Sequence, residues 1–500
     1  MRKKSLLFSI LAAGALVTLA SCGNSEELDT LKKEIETLKN DNKSLSDDKE
    51  SLSNENKNLK TDKENLTKSN ETLTNEKNQA VSAKDTALAQ IEELTSEKET
   101  LENENDNLNN TIDAITKEKD NLMNNINSIL KDINKYAIKY TDPTGVSTFN
   151  IYESNVSLND ALTDDFDAVI SNGTYGLQID SINNYADPNW YVAIYENGEY
   201  SQVGFGGLVV DAGDVFEFKY ECWNTIESGY GAFDSYDVLV DKAIYNYYEN
   251  TLPEKLQSVN TYTGSTYWDS MALYKLKNAG YKFDSLNYTP FKYDYCHTLD
   301  TAVQSELSGN NLFKYYYADR LLANNRDYSA LKTKYQSYLD TLTSYSSYGE
   351  YSIPFHTGVA KTLGLNLNDA IKNTTYRADM TYGPEGLAWE LAGLACYNTF
   401  TKDDLSALTI AALDNEYVGS KDVALSTYIL PYAASNISFR ELKDSNDQDA
   451  LKVLFSYYDE STMQFSTEKL SNDMSSNQIY AALVAYKIQR DTASAQNLFE

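Results

Sequence analysis

The sequence predicts a multidomain protein built from a long α-helical coiled coil, then a small β-rich domain, then an all-α ring of helical hairpins. Three periodicities predict it. From Leu31 to Tyr136 every seventh residue is apolar or aromatic: Leu31, Leu38, Leu45, Leu52, Leu59, Leu66, Leu73, Ala80, Ala87, Leu94, Leu101, Leu108, Ile115, Leu122, Ile129 and Tyr136. That period belongs to a coiled-coil seam. After the breaker Asp142-Pro143-Thr144-Gly145 the pattern alternates in twos, as half-buried strands do, and from Ser235 onward it recurs every three to four residues, as amphipathic helices do.

The chain opens on an export signal. Arg2, Lys3 and Lys4 precede an apolar run from Leu6 to Leu19, which closes on Leu19-Ala20-Ser21-Cys22. The run is short for a spanning helix. Leu-Ala-Ser-Cys resembles the lipobox of bacterial lipoproteins, which implies removal of residues 1–21 and acylation of the Cys22 thiol with diacylglycerol. Two or more acyl chains are what stable anchoring requires. Residues 22–27 are then a lipid-anchored linker, and the expected location is extracytoplasmic, on the bacterial cell membrane or surface.

Residues 28–140 form the expected stalk. The companion seam positions carry Leu28, Ile35, Ile91, Ile112, Ile126 and Ile133, interspersed with Asn42, Asn56, Asn70 and several lysines. Asn at such a position is best tolerated where two copies hydrogen-bond across a parallel pair, and Leu opposite it favours two strands, so a parallel homodimer is the first expectation over a trimer. Asp48, Asp62, Glu76, Glu97 and Glu118 each precede a seam lysine and can neutralise it on the partner. No Gly or Pro interrupts the run between Gly23 and Pro143, and a helix of this length would measure roughly 160 Å.

Composition narrows the function. The formal charge of -31 argues against a nucleic-acid partner, which would need a basic face to neutralise phosphates. All 40 tyrosines fall at or after Tyr136 and so belong to the folded part, where a ring with a polar tip serves a core edge or a binding surface. Beyond Cys22 only Cys222, Cys296 and Cys396 remain, without a CxxC pair, so neither a disulfide framework nor a zinc site is indicated.

Residues 146–225 read as the β-rich domain. Strand patterns cover Phe149–Tyr152, Thr174–Ile179, Trp190–Tyr195, the short apolar Gly207–Val210 and Val215–Tyr220, with turns at Glu196-Asn197-Gly198-Glu199 and Asp211-Ala212-Gly213-Asp214. The run Trp190-Tyr191-Val192-Ala193-Ile194-Tyr195-Glu196-Asn197-Gly198, followed by Asp211-Ala212-Gly213-Asp214-Val215-Phe216-Glu217-Phe218-Lys219-Tyr220, resembles the β domain of the transcobalamin and intrinsic-factor family.

Residues 234–500 read as helices of about a dozen residues each, suited to a closed ring of hairpins rather than a four-helix bundle. Tyr267-Trp268-Asp269-Ser270-Met271-Ala272-Leu273-Tyr274 and Asn477-Gln478-Ile479-Tyr480-Ala481-Ala482-Leu483-Val484-Ala485-Tyr486 resemble hairpin helices of the α/α toroid shared by transcobalamins, terpenoid cyclases and protein prenyltransferases. In transcobalamins the toroid precedes the β domain, whereas here the order is reversed.

No catalytic constellation is evident. The Asp-x-Asp-Asp run of squalene-type cyclases is absent from the helical region, Asp294, Cys296 and His297 are too close in sequence for a prenyltransferase zinc site, and the complement thioester motif is missing. The resemblance implies a ligand cleft, with cobalamin as a possible ligand. The aromatic candidates for it are Trp190, Tyr191, Trp223, Trp268, Tyr316, Tyr382 and Trp389, with His356 as a candidate ligand to a corrinoid metal, although a lone histidine is most often a cap or a satisfied core group. Two functions follow as expectations: binding of cobalamin or another bulky small molecule, or adhesion to a host or matrix protein or glycan, with the stalk supplying avidity.

Overall fold

The computed structural model describes residues 25–174, 176–257, 266–283, 312–322, 327–342, 352–369, 383–397, 429–435, 437–441, 443, 448–462, 464–465, 473–494 and 497–500. Cys22, Tyr382, Cys296, His297 and the helical pattern Asp404–Leu413 lie outside them. The chain is multidomain, with a long N-terminal helix, a small mixed sheet domain and a helical C-terminal region. It divides into two compact units, 1–116 and 117–500.

Helix α1 (Ser25–Asp132) runs for 108 residues, with Glu26 and Glu27 in its first turn and Lys131 in its last, each placed to favour the helix dipole. Its heptad leucines are solvent-exposed in the single chain, Leu45 at 65% and Leu66 at 67%.

The helix ends earlier than the seventh-residue pattern predicts. Asn134 takes a positive φ of 57°, and residues assigned to the stalk's last heptad become strand β1 (Lys135–Thr141). The stretch satisfies two periods at once, and burial decides between them. As a strand it places Tyr136, Ile138 and Tyr140 together on the inner face, each 3% exposed or less, where a continued helix would have kept them in water. The sheet domain therefore begins near residue 135 rather than 146, and the stalk ends at 132 rather than 140.

The other strands are β2 (Ser147–Glu153), β3 (Val169–Gly173), β4 (Gly176–Ser181), β5 (Trp190–Glu196), β6 (Glu199–Tyr200) and β7 (Val215–Cys222). The main sheet runs β2-β1-β7-β5-β6, while β3 and β4 form a separate hairpin. β1 lies parallel to β7, with Ile138 opposite Phe216, and the other neighbours are antiparallel. Asn197 and Gly198 both take positive φ, 53° and 89°, and close the tight β5–β6 turn. Two segments differ from expectation. Leu158–Phe166 is a helix, α2, capped by the Ser157 side chain on Asp160 N–H. The apolar stretch read as a strand at Gly207–Val210 instead follows a 3-10 turn, Phe205–Gly207, that packs on β4.

In the helical region, Asp234 and Asp237 form a reciprocal capping box that starts α3 (Ser235–Tyr245). After it come α4 (Leu252–Gln257), α5 (Thr266–Asn278), α6 (Leu312–Leu322), α7 (Ser329–Leu339), α8 (Ile353–Leu363), α9 (Gly383–Leu394), α10 (Leu430–Ala433), α11 (Ala450–Phe455) and α12 (Asp473–Thr492). α12 packs on α5, α5 on α6, α6 on α8, α8 on α9, α9 on α10, and α10 back on α12. One hydrophobic core extends from Tyr136 in β1 to Phe499, so sheet and helices share an interior. Among the described residues no helix is long and apolar enough to cross a membrane.

Candidate functional site

The sheet domain carries a groove of about 370 Å³ between β5 and β4. Leu177, Ile179, Val192, Ile194 and Phe205 supply its apolar lining, and Trp190, Tyr191 and Tyr220 its aromatic part. Strand parity builds it. Trp190, Val192 and Ile194 share a face of β5 and pair in register with Cys222, Tyr220 and Phe218 of β7. The opposite wall is β4, held close because Gly206 lacks a side chain: a Cβ there would lie 3.2 Å from Leu177 N. Tyr220 fixes the base, its hydroxyl donating to Tyr185 O at 2.6 Å and accepting from Ile182 N–H at 2.9 Å.

Behind the groove lies a buried ionic cluster. Lys487 Nζ sits 2.7 Å from Asp187 Oδ2, 2.8 Å from Asp241 Oδ1 and 3.1 Å from Asp491 Oδ2. Arg490 adds contacts of 2.7 Å to Asp241 Oδ1 and 2.8 Å to Asp491 Oδ1, and stacks its guanidinium 3.8 Å from the centre of the Phe233 ring. Trp190 joins it by donating its indole N–H to Asp241 Oδ2 at 2.9 Å. Three carboxylates thus face Lys487, and Arg490 shares Asp241 and Asp491 while also lying 3.7 Å from Asp237 Oδ1. Burial pushes the Asp187 carboxyl up, with Lys487 opposing and Asp241 adding to the rise. Burial also disfavours the Asp241 carboxylate, but Arg490 and Lys487 outweigh it and hold that group below the usual range. Lys487 is raised above its usual range, since Asp187, Asp241 and Asp491 together overcome its burial. The cluster joins β-domain residues to α3 and α12, and the Asp187 side chain, fully covered, has its charge engaged inward.

The sequence-predicted site residues separate into two groups. Trp190 and Tyr191 line the groove. Trp223 stands beyond it on an exposed loop, its indole donating to Pro188 O at 2.9 Å. Trp268, Tyr316, His356 and Trp389 do not line the groove: all four are 3% exposed or less. Trp268 packs 5.1 Å from Phe355 and 6.4 Å from Trp389, ring centre to ring centre, filling the interior of the helical circuit. His356 is wedged beside Phe313 and Tyr338, its Nδ1 bonded to the Tyr335 hydroxyl, and burial lowers its pKa to about 3. It is held as a neutral, buried group of the helical region and is not among the residues that line the groove. Helical periodicity marks an apolar face but cannot say whether that face meets a ligand or a neighbouring helix. The groove's remaining lining and the Asp187–Lys487 cluster do not stand out in the sequence. Their signal is faint, a Lys and an Arg three residues apart just after the apolar run Ile479–Tyr486 of the C-terminal helix.

Among the described residues no group of three or more His, Cys, Asp or Glu is arranged to hold a metal ion. Cys222 and Cys396 are free thiols, their pKa values pushed up to about 11 and about 12 by burial. No family model matches the chain, and no curated protein matches it. A crystal structure of a proposed metal-binding protein from Ruminococcus gnavus ATCC 29149 aligns at 16% identity over 18% of this chain and 96% of that one, with a TM-score of 0.16. So partial a superposition assigns neither a fold nor metal binding to this chain.

Proposed function

We propose that the chain is a lipid-anchored, extracytoplasmic binding protein that captures an extracellular ligand in the β4–β5 groove. The observation that carries this is the groove itself: an apolar and aromatic concavity of about 370 Å³, backed by a buried, charge-engaged cluster. Its volume is within the range of small-molecule sites, and aromatic walls with few polar groups are the usual lining of such sites.

In this reading Cys22 is acylated and tethers the chain to the membrane, and α1 pairs with a second copy as a parallel coiled coil. The support for pairing is the row of leucines left exposed along the single helix, including Leu59, Leu66 and Leu73. The reading also takes the sheet domain as transcobalamin-like and the helical region as an α/α toroid. The toroid is favoured by the run of packed helices that leads from α12 through α5, α6, α8, α9 and α10 back to α12.

Cobalamin is the ligand the resemblance favours, but a groove of about 370 Å³ would hold only an edge of a corrin. A smaller moiety, such as one sugar or a short piece of a host or matrix protein, fits it better, which favours the adhesin reading. The test is calorimetric titration of the full chain with cobalamin, defined glycans and extracellular matrix proteins, repeated with Ile179→Arg. Binding that Ile179→Arg abolishes is expected. Binding that this charge leaves intact places the ligand elsewhere and overturns the assignment. For the anchor, Cys22→Ala should move the protein from the membrane to the soluble fraction.

A further inference from the structure

One wall of the groove is a strand edge. β6 is only two residues long, and its ladder with β5 reaches no further than Tyr195 opposite Tyr200. Ser201 N–H donates to Ile194 O at 2.8 Å, on the side away from β7. Backbone groups alternate along a strand, so those of Val192 point the same way as those of Ile194, whereas Tyr191 and Ala193 point toward β7. Among the described residues no strand pairs with β5 on that side between Trp190 and Ala193. β4, across the groove, is paired only with β3.

We propose that the groove takes an extended peptide segment of a partner protein, which adds to β5 as a further strand at Val192. This rests on the reading of the groove as the binding site and names its ligand class. A small apolar molecule would cover Leu177, Ile179 and Phe205 yet leave the Val192 N–H and C=O without a partner. A peptide backbone supplies both the donor and the acceptor at strand spacing. Alternate side chains of the segment would enter between Ile194 and Phe205, while the others face Tyr191 and solvent.

Charge selects the segment further. The charged residues lining the groove are Asp180 and Asp187. Asp187 is engaged by Lys487, while Asp180, exposed and accepting from the neutral Gln178 amide, remains to attract a cation. No Lys or Arg lines the groove, and the whole chain carries -31. The favoured segment alternates apolar residues with lysine or arginine.

The probe is a panel of capped five-residue peptides alternating Val or Phe with Lys, titrated into the full chain. A second panel carries a backbone N-methyl group at the central residue, and a third has Glu in place of Lys. Expected are hydrogen-exchange protection of segment 190–194 on peptide addition, at least a tenfold loss of affinity on N-methylation, and a several-fold loss with Glu. Val192→Pro should weaken binding by at least tenfold, because it removes an N–H that points away from β7 and spares the β5–β7 ladder. N-methylation tests the same bond without any change in the protein. Peptide binding that is indifferent to N-methylation, or that leaves 190–194 unprotected, overturns strand addition. If no peptide binds but a glycan or cobalamin does so in an Ile179→Arg-sensitive way, strand addition falls and the binding site stands. If nothing binds, both fall.

Discussion

Leu66 in α1 and Trp268 in α5 are both large apolar residues at the repeating positions of a helix, yet one is 67% exposed and the other wholly buried. α5 finds its neighbours within the same chain, in α6 and α12. α1 presents a regular row of leucines to water, and a helix gains most of its stability from burying such a face, not from intrinsic propensity. The two regions therefore teach different things. The described helices of the second unit bury their large apolar residues within the chain, whereas α1 leaves its row of leucines exposed in the single chain.

The largest test of that difference is Leu66→Lys combined with Leu73→Lys. If the seam is shared by two copies, four buried leucines are lost per dimer. At about 1.5 kcal/mol or more each, association weakens by about 6 kcal/mol, roughly four orders of magnitude in Kd. Sedimentation equilibrium of the full chain should show a dimer converted to monomer. An unaltered mass distribution in the double variant would leave α1 as a single helix and remove the coiled coil from the proposal.

Within the compact unit the corresponding break is Lys487→Met. The variant keeps the aliphatic stem but leaves Asp187, Asp241 and Asp491 facing Arg490 alone. Breaking one side of a buried ion pair costs about 3–5 kcal/mol, which should appear as a lower urea midpoint with unchanged slope. Asp187→Asn should cost less than half of that. It removes the carboxylate on which the cluster's excess negative charge falls, and it keeps an acceptor for the ammonium. Equal losses for the two variants would show that the charge is not distributed in this way.

The same contrast governs how far the sequence is legible. α1 can be read because a seventh-residue apolar repeat sustained over so many turns fits a helical seam and hardly any strand or loop, and the turn at Asn197-Gly198 can be read because positive φ selects those residues. The end of α1 cannot, since Tyr136, Ile138 and Tyr140 satisfy strand alternation while Tyr136 also falls on the heptad. Only the tertiary partners Phe216 and Phe218 in β7 settle the choice. Of the candidate site, Trp190 and Tyr191 stand out as aromatics beside a turn-rich stretch. Trp268, Tyr316, His356 and Trp389 stand out for the same reason and lie in the core, because an aromatic on a helical face fills an interior as readily as it lines a cleft. The Asp187–Lys487 pairing is barely legible, as its partners are separated by most of the folded unit and no local pattern links them.

Acid should weaken the helical core through His356. Its folded pKa, near 3, is below the usual value of about 6.5. The unfolded chain therefore takes up the proton first as pH falls. The contribution is fully present above about pH 6.5 and is lost progressively toward pH 3, amounting to up to about 3 kcal/mol between pH 7 and pH 4. His356→Phe should flatten this part of the stability–pH curve in urea titrations, although it also gives up the bond to the Tyr335 hydroxyl. An identical slope in the variant would mean that His356 is not held neutral by burial. Within the acidic cluster the depressed Asp241 carboxyl adds a slope of the same sign, but only below the ordinary carboxylate range, whereas the raised Asp187 carboxyl adds one of opposite sign above it. The comparison with His356→Phe isolates the histidine.

The smallest effect separates two indoles of the sheet domain. Trp190 and Trp223 each donate one hydrogen bond of 2.9 Å, but Trp190 gives it to the buried Asp241 carboxylate and Trp223 to the Pro188 carbonyl near solvent. Bonds to charged partners contribute about 1.5–3 kcal/mol, and neutral bonds about 1 kcal/mol or less. Trp190→Phe should therefore cost at least about 1 kcal/mol more than Trp223→Phe in the same urea titration, although both swaps remove the same atoms. The Trp223 variant should also retain peptide binding, since its side chain is not among those that line the groove. Equal costs would mean that Asp241 is satisfied by Lys487 and Arg490 alone, so that Trp190 is held in the groove by packing and not by its bond to the charge behind it.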